Sequence, residues 1–384
     1  MTRTDPATTW RVQPAPPLPP SPDDPGAWAY AGMCEIERLD ELDTWGWSDL
    51  WTPLHVRLPL LRPTPYSRTL VWVAVQGADG DARDVVGYAT LSEPLTANEH
   101  TAHVAVGVLP EHRGRGIGAA LLRAATDQAA VDGRGTLHAY STHSPEPEPG
   151  AGALESPVGS GRVPVEDPGV RFAQAHRFRL EQVERYSVLE LGDEHGAGTP
   201  ELTEHLAAAR ARAGEEYRTH TWLDEVPDDR LEDVARLYTR MSTDAPMGAL
   251  DVQENPWDAD RVRASLQRAA DAGLHQLVTV AEHAPTGRLV AFSVLRVPHP
   301  DVPFAFQEDT LVLREHRGRS LGMLVKGVNL ERLDAWRPGV RRVHTWNAQE
   351  NDHMLAINVA LGFRQAGVAA AWQRTERGAA TPDA

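Results

Sequence analysis

Hydrophobic and polar positions follow two rhythms along this chain, and their order predicts its elements. In the C-terminal half, YRTHTW (217–222) has the period of a strand, whereas PDDRLEDVARLYTRM (227–241) and DADRVRASLQRAADAG (258–273) repeat apolar residues at helical spacing. HQLVTVAEH (275–283) and RLVAFSVLRV (288–297) are apolar runs on either side of the turn signal PTG. QEDTLVL (307–313) predicts another strand, a helical pattern ends near Trp336, and RVHTWNA (342–348) precedes a final helix and strand. The predicted order is βααβββαβαβ, an α/β chain with a mixed sheet of the α+β kind.

The N-terminal half follows this order more loosely, with strands predicted near Cys34 to Asp40, Thr69 to Gln76 and Val85 to Leu91. TAHVAVGV (101–108), a helix ending near Asp132 and TLHAYST (136–142) come next. The two halves are an internal repeat. LPEHRGRGIGAALL (109–122) aligns without gaps with LREHRGRSLGMLVK (313–326), offset by 204 residues and identical at seven of fourteen positions. Each copy closes with a Phe-Arg pair, Phe178-Arg179 and Phe363-Arg364, and the first copy carries 19 extra residues before it.

Those extra residues coincide with a stretch rich in proline, glycine and acidic residues, 143–169, which reads as a long loop with little to bury. The expected organisation is a proline-rich arm (1–27), a first domain (28–192) with that insertion, a polar connector containing a short helix (193–214), a second domain (215–374) and a flexible tail (375–384). A length of 384 residues agrees with two domains.

Composition narrows the chemistry. Lys+Arg 38 against Asp+Glu 54 leaves a net charge of -16, which repels a nucleic-acid backbone and weakly favours a small cationic partner. The single cysteine, Cys34, excludes an intrachain disulfide and a multi-cysteine zinc site, so no metal is expected and a reducing cytoplasm fits. The N-terminus has no apolar run after a basic start, and no stretch of about 18 apolar residues occurs, so neither secretion nor a membrane is expected. A monomer or a homodimer fits equally well.

RGRGIG, from Arg113 through Gly114, Arg115, Gly116 and Ile117 to Gly118, lies between a strand and a helix. Glycines there let backbone N–H groups turn inward, and the first helical turn adds partial positive charge, which suits an anionic phosphate. A dinucleotide fingerprint would follow the first strand, a nucleotide loop would read GxxxxGK[ST], and neither spacing is present. An ordinary strand-to-helix turn is the remaining alternative. Its recurrence as Arg317, Gly318, Arg319, Ser320, Leu321 and Gly322 at the same place in a repeated unit weighs against that.

A strand, then Pro-x-x-Arg-Gly-x-Gly-x-Gly, a helix, a strand and a helix ending in Leu-Gly-Phe resemble the GNAT superfamily of acyl-CoA-dependent N-acyltransferases. The resemblance covers about 30–192 and 215–374 and implies two tandem GNAT domains. It implies acetyl-CoA as donor, with the pyrophosphate on both loops and the pantetheine arm along Val106 and Val108 or along Thr310, Leu311 and Val312. Asn351, opening NDHMLAINVALGF (351–363), matches the family's coenzyme-contacting helix, which VRFAQAHRF (170–178) matches poorly. The second copy is therefore expected to catalyse, although the first has the more intact glycine loop.

The glutamate that often serves the family as base is replaced by Phe306 and by Ala102. Glu308 and Asp309 are the candidate bases, with a solvated strand-end carboxylate as the competing reading, and alternation puts Glu308 on the face of Phe306 subject to a bulge. Asn358 and Ala173 stand where the family carries an acidic tyrosine, so Asn358 is the candidate for orienting the thiol or a water. Lys326 is expected to face solvent, His112 and His316 to assist charge or lie on the surface, and Trp45, Trp47 and Trp51 to pack in a core. The expected function is transfer of an acetyl group to a small-molecule amine. The alternatives are O-acylation, a longer acyl group, or coenzyme A binding without turnover.

Overall fold

The computed structural model describes residues 10–77, 79–192, 200–298 and 302–375. They divide into two compact units: those up to Tyr140 together with those from Gln373 onward, and Ser141–Trp372. The first unit contains β1 (Trp10–Pro14), α1 (Trp28–Trp45), α2 (Leu54–Leu61), β2 (Ser67–Gln76), β3 (Val85–Pro94), β4 (Thr101–Val108) and α3 (Ile117–Val131). Its last strand, β5 (Thr136–His143), begins here and ends beyond the unit's boundary. The sheet order is β1-β2-β3-β4-β5, antiparallel as far as β4 and parallel between β4 and β5.

Two sequence expectations change here. Cys34 to Asp40 lie inside α1, not in a strand: Tyr30, Met33, Cys34 and Ile36 are buried together, which helical spacing achieves. The strand that opens the first copy is β1, within the stretch assigned to the arm, and it is antiparallel to β2. Tyr30, Met33, Ile36, Leu58, Val73 and Val75 form the unit's core, with Trp45 also buried and the Trp51 indole donating to the Cys34 carbonyl at 2.8 Å.

The second unit begins with the proline-rich insertion, which is more ordered than expected. β6 (Ala153–Glu155) and β7 (Arg162–Pro164) form a hairpin, and Val163 is fully buried. Glu146 receives a hydrogen bond from Gln349 at 3.0 Å and pairs with Arg162 at 3.2 Å, so polar contacts supply what the sparse apolar residues do not. There follow α4 (Pro168–Ala175), β8 (Arg179–Glu190), α5 (Pro200–Ala213), β9 (Tyr217–Leu223), α6 (Leu231–Asp244) and α7 (Ala259–Asp271). β10 (Leu274–His283), β11 (Arg288–Pro298), β12 (Phe304–Val312), α8 (Leu321–Trp336), β13 (Arg342–Ala348), α9 (Asp352–Ala360) and β14 (Arg364–Thr375) complete the chain. From β9 to β14 the order is the predicted βααβββαβαβ.

The sheet of this unit runs β14-β8-β13-β12-β11-β10-β9. β8, the last strand of the first sequence copy, therefore sits between two strands of the second. The Tyr186 hydroxyl on β8 meets Nδ1 of the fully buried His344 at 2.8 Å. Compact unit and sequence repeat are thus different divisions of one chain.

The connector is more than a tether. α5 buries Leu202, Leu206, Ala209 and Ala213 in the second unit's cores, and Leu206 Cδ1 lies 3.0 Å from where a Cβ on Gly327 of α8 would stand. We predict that Leu206→Ala destabilises the second unit by about 2–4 kcal/mol, the usual range for a buried leucine truncation, as read from its urea midpoint.

Candidate functional site

Both copies build the same opening. β4 pairs with β5 only at Thr101↔Thr136, Ala102↔Leu137 and His103↔His138, and β12 pairs with β13 only from Phe304↔Arg342 to Gln307↔Thr345. Beyond those points the strands part, while β3 and β11 still cover the opposite edges of β4 and β12. One edge of 104–108 and of 308–312 is left without a strand partner. A ligand with amide groups of its own is the natural partner for such an edge.

The loop after each parted strand turns as its glycines require. Gly114 and Gly116 have φ of 73° and 81°, Gly318 has 78°, and Ser320 adopts 57°, a left-handed conformation that costs a non-glycine residue roughly 1 kcal/mol. No atom lies within 4 Å of the position a Cβ would take on Gly114, Gly116 or Gly318, so the cup is open. α3 and α8 begin immediately after it at Ile117 and Leu321. Both of those side chains are core residues, so their contribution to an anion is the backbone N–H alone.

The first arginine of each loop has a structural task. Arg113 Nε donates to the Val108 carbonyl at 3.0 Å and Arg317 Nε to the Val312 carbonyl at 3.2 Å. Arg113 also pairs with Asp40 at 3.1 Å and Arg317 with the buried Asp244 at 3.6 Å, acids that stand 204 residues apart like the arginines. The carbonyls of Val108 and Val312 are thereby occupied, leaving Val106 and Thr310 as the freer backbone positions. The Thr310 side chain is tied to Ser293 at 3.0 Å, and Leu311 is buried in the core. Asn351 caps α9, its side chain accepting from Met354 N at 3.3 Å, while Ile357 Cδ1 lies 3.0 Å from where a Cβ on Gly322 would stand.

The copies differ on the parted strand. In β12 the register against β11 shifts between Leu295↔Gln307 and Ser293↔Thr310, which puts one extra residue at Glu308-Asp309. Without this bulge Asp309 would point to the opposite face from Glu308; with it both carboxylates share an electrostatic neighbourhood with Arg296 and Tyr238. Glu308 pairs with Arg296 Nη1 at 3.1 Å. Burial, and next the charge of Glu308, raises the Asp309 carboxyl to about 6, with Arg296 opposing. Tyr238 stacks on Trp257 with ring centroids 4.5 Å apart, and burial pushes its hydroxyl up. In the first copy β3 and β4 stay in register and 104–108 carries no acid. There the Tyr88 ring covers Gly107, where a Cβ would lie 2.3 Å from it.

The sequence reading missed the role of Lys326. It does not face solvent: it is 1% exposed, and its Nζ donates to Asn358 Oδ1 at 2.6 Å, with Met354 Sδ at 3.9 Å and the Phe363 ring centroid at 5.6 Å. Asn358 Nδ2 in turn donates to Asn347 Oδ1 on β13. The carboxamide expected to orient a thiol is thus committed to the protein, and it acts on the opening by holding α8, α9 and β13 together. Burial lowers the Lys326 ammonium to about 7. The signal available in the sequence was that the chain's single lysine occupies the place of the buried Leu122. His316 meets the Tyr217 hydroxyl at 3.0 Å, and burial lowers its imidazole.

Comparison with known proteins agrees with this geometry. Residues 32–145 match the acetyltransferase (GNAT) family. A tandem GNAT protein from the clavulanic acid biosynthesis pathway is 26% identical, with a TM-score of 0.70 over 98% of this chain and 100% of that one. A GCN5-related N-acetyltransferase from Sphaerobacter thermophilus, at 14% identity, has a TM-score of 0.57 over 95% of each chain and shares the fold. No curated protein matches by sequence. The fold is that of the GNAT acyltransferases. A tandem GNAT protein is thus similar to this chain over nearly its whole length.

GNAT proteins take acyl-coenzyme A, and the residues fit it: an open cup at a helix start for the diphosphate and an uncovered strand edge for the pantetheine amides. Among the described residues no group of three His, Cys, Asp or Glu side chains is placed to hold a metal ion, and no helix is long and apolar enough to cross a membrane.

Lys326 yields a test whose sign is fixed. Its folded value, about 7, lies below the unfolded value of about 10.4, so between them the unfolded chain binds more protons and stability rises with pH. Relative to Lys326→Met, the wild type should gain up to about 1.4 kcal/mol per pH unit across that window and nothing outside it, measured by urea denaturation from pH 6 to 11.

Proposed function

We propose that this protein is an acyl-CoA-dependent N-acetyltransferase whose second copy moves an acetyl group from acetyl-CoA to the amine of a small molecule. The observation that carries this reading is the bulge in β12, which sets two carboxylates beside the parted strands in the second copy only. A relative from a small-molecule biosynthetic pathway and a net charge of -16 support a small cationic acceptor. The reading places the reaction in the cytoplasm.

An alkyl amine with a pKa near 10 is only about one part in a thousand neutral at pH 7, so its attack on a thioester needs a proton acceptor. Asp309, held at about 6 by burial, is the base in this reading: ionised at neutral pH, yet more basic than a solvated aspartate. Glu308, paired with Arg296, keeps that guanidinium beside it. N–H groups along 308–312 supply donors for the oxyanion, and Phe306 and Trp346, with ring centroids 6.3 Å apart, form an apolar wall for the body of the acceptor. The leaving thiolate has a pKa near that of cysteine, so it departs without a dedicated acid.

The first copy reads as a coenzyme A binder without turnover. Its loop has both glycines in open space, but it has no acid on β4 and carries Tyr88 over Gly107.

Thiol release from acetyl-CoA across an amine library tests the enzyme. Asp309→Asn should lower kcat by about 100-fold or more and abolish the acid limb of the pH profile near pH 6, while Glu308→Gln should cost less. Unchanged rates and profiles in both variants would remove the assigned base, and no thiol release with any amine would leave a binding protein.

A further inference from the structure

The second loop has a visitor from outside the repeat. Arg212, in the last turn of α5, directs Nε to the carbonyl of Gly318 at 2.9 Å. Gly318 has the positive φ that turns the cup, and nothing crowds it on the open side. Around this loop the other arginines are already associated with carboxylates. Arg314 and Arg317 each lie 3.6 Å from Asp244, and Arg319 lies 4.0 Å from Glu216. Among the described residues no carboxylate pairs with Arg212, whose two terminal nitrogens retain four N–H donors.

The arm that carries Arg212 is fixed in place. Leu202, Leu206, Ala209 and Ala213 are buried, and Arg210 pairs with Glu331 of α8 at 2.7 Å. A guanidinium anchored at both its helix and its Nε has given up most of its rotamer freedom before any ligand arrives. The first copy has no equivalent helix among the described residues, which open there on β1 and α1.

Resting on the proposed coenzyme A site, we propose that Arg212 is a phosphate-binding residue of the second loop, delivered by the connector and absent from the first. Its terminal N–H groups contact a phosphate of the coenzyme while Nε keeps Gly318 turned. The linker between the repeats thereby makes the two cups unequal in charge as well as in sequence.

Calorimetric titration of coenzyme A into the full chain tests this, with Gly116→Trp in the first loop so that the second cup is the one measured. Arg212→Ala should weaken binding about tenfold at low salt, the worth of one charge-assisted contact, and the deficit should shrink as KCl rises. Arg212→Gln keeps a donor for the Gly318 carbonyl without the charge; the proposal expects it to resemble Arg212→Ala, and Arg212→Lys to fall between. Repeating the series with 3′-dephospho-coenzyme A assigns the contact, because the deficit vanishes if Arg212 reads the 3′-phosphate and persists if it reads the diphosphate. Wild-type affinity in Arg212→Ala or in Arg212→Gln, or a salt-independent deficit, would overturn the role of Arg212 and leave the site standing. Absence of binding in the parent Gly116→Trp chain and in the wild type alike would instead overturn the site.

Discussion

The structure depends on a pair of strands that stop pairing. Backbone N–H and C=O groups seldom go unmatched inside a protein, yet β12 abandons β13 after Gln307 just as β4 abandons β5 after His103. Holding strands apart requires an external frame, and in the second unit that frame is polar. Thr279 bonds Asn329 at 2.6 Å, Asn329 bonds the Ser293 carbonyl at 2.9 Å, and Gln307 reaches both the Ser293 hydroxyl at 3.0 Å and the Val294 carbonyl at 2.9 Å. Lys326, Asn358 and Asn347 extend the same principle to α9 and β13. Buried polar links of this kind fix one geometry because any other leaves their members unpaired.

The first copy shows what the duplicated scaffold looks like without that frame. Val75, Ala89, Val106 and Ala125 stand 204 residues before Thr279, Ser293, Thr310 and Asn329, and Leu122 stands before Lys326. Its β3–β4 pairing keeps one register, whereas the second copy has its bulge between β11 and β12, where the network is densest. One copy retains both glycines in its open cup and no acid on the parted strand; the other has a strained serine in the cup, acids on the strand and a connector arginine at the loop. The two copies thus share a fold and differ in the residues that line the opening.

Much of this was legible in the residues. The repeated EHRGR, the strand before it and the helix after it locate both cups because glycine at positive φ and a helix start are local requirements. Asn351 as a helix cap and the second copy's element order are likewise local. Cys34 to Asp40 misled because a short run of mixed polar and apolar residues fits either period until burial over a longer span decides. The insertion at 143–169 misled because it is held mainly by hydrogen bonds and ion pairs, which leave no hydrophobic pattern to read.

Sequence alone determined the duplication, the fold class and the position of the glycine turns before α3 and α8, since these follow from periodicity and from what glycine permits. Tertiary structure decided the rest: that β8 lies between strands of the other repeat, that Lys326 is buried against Asn358, that one extra residue in β12 brings Asp309 beside Glu308, and that Arg212 reaches Gly318. Each joins residues far apart in the chain, or hangs on a one-residue shift of register. Spacing along a sequence carries no record of either, because the energy that selects them comes from partners met only after folding.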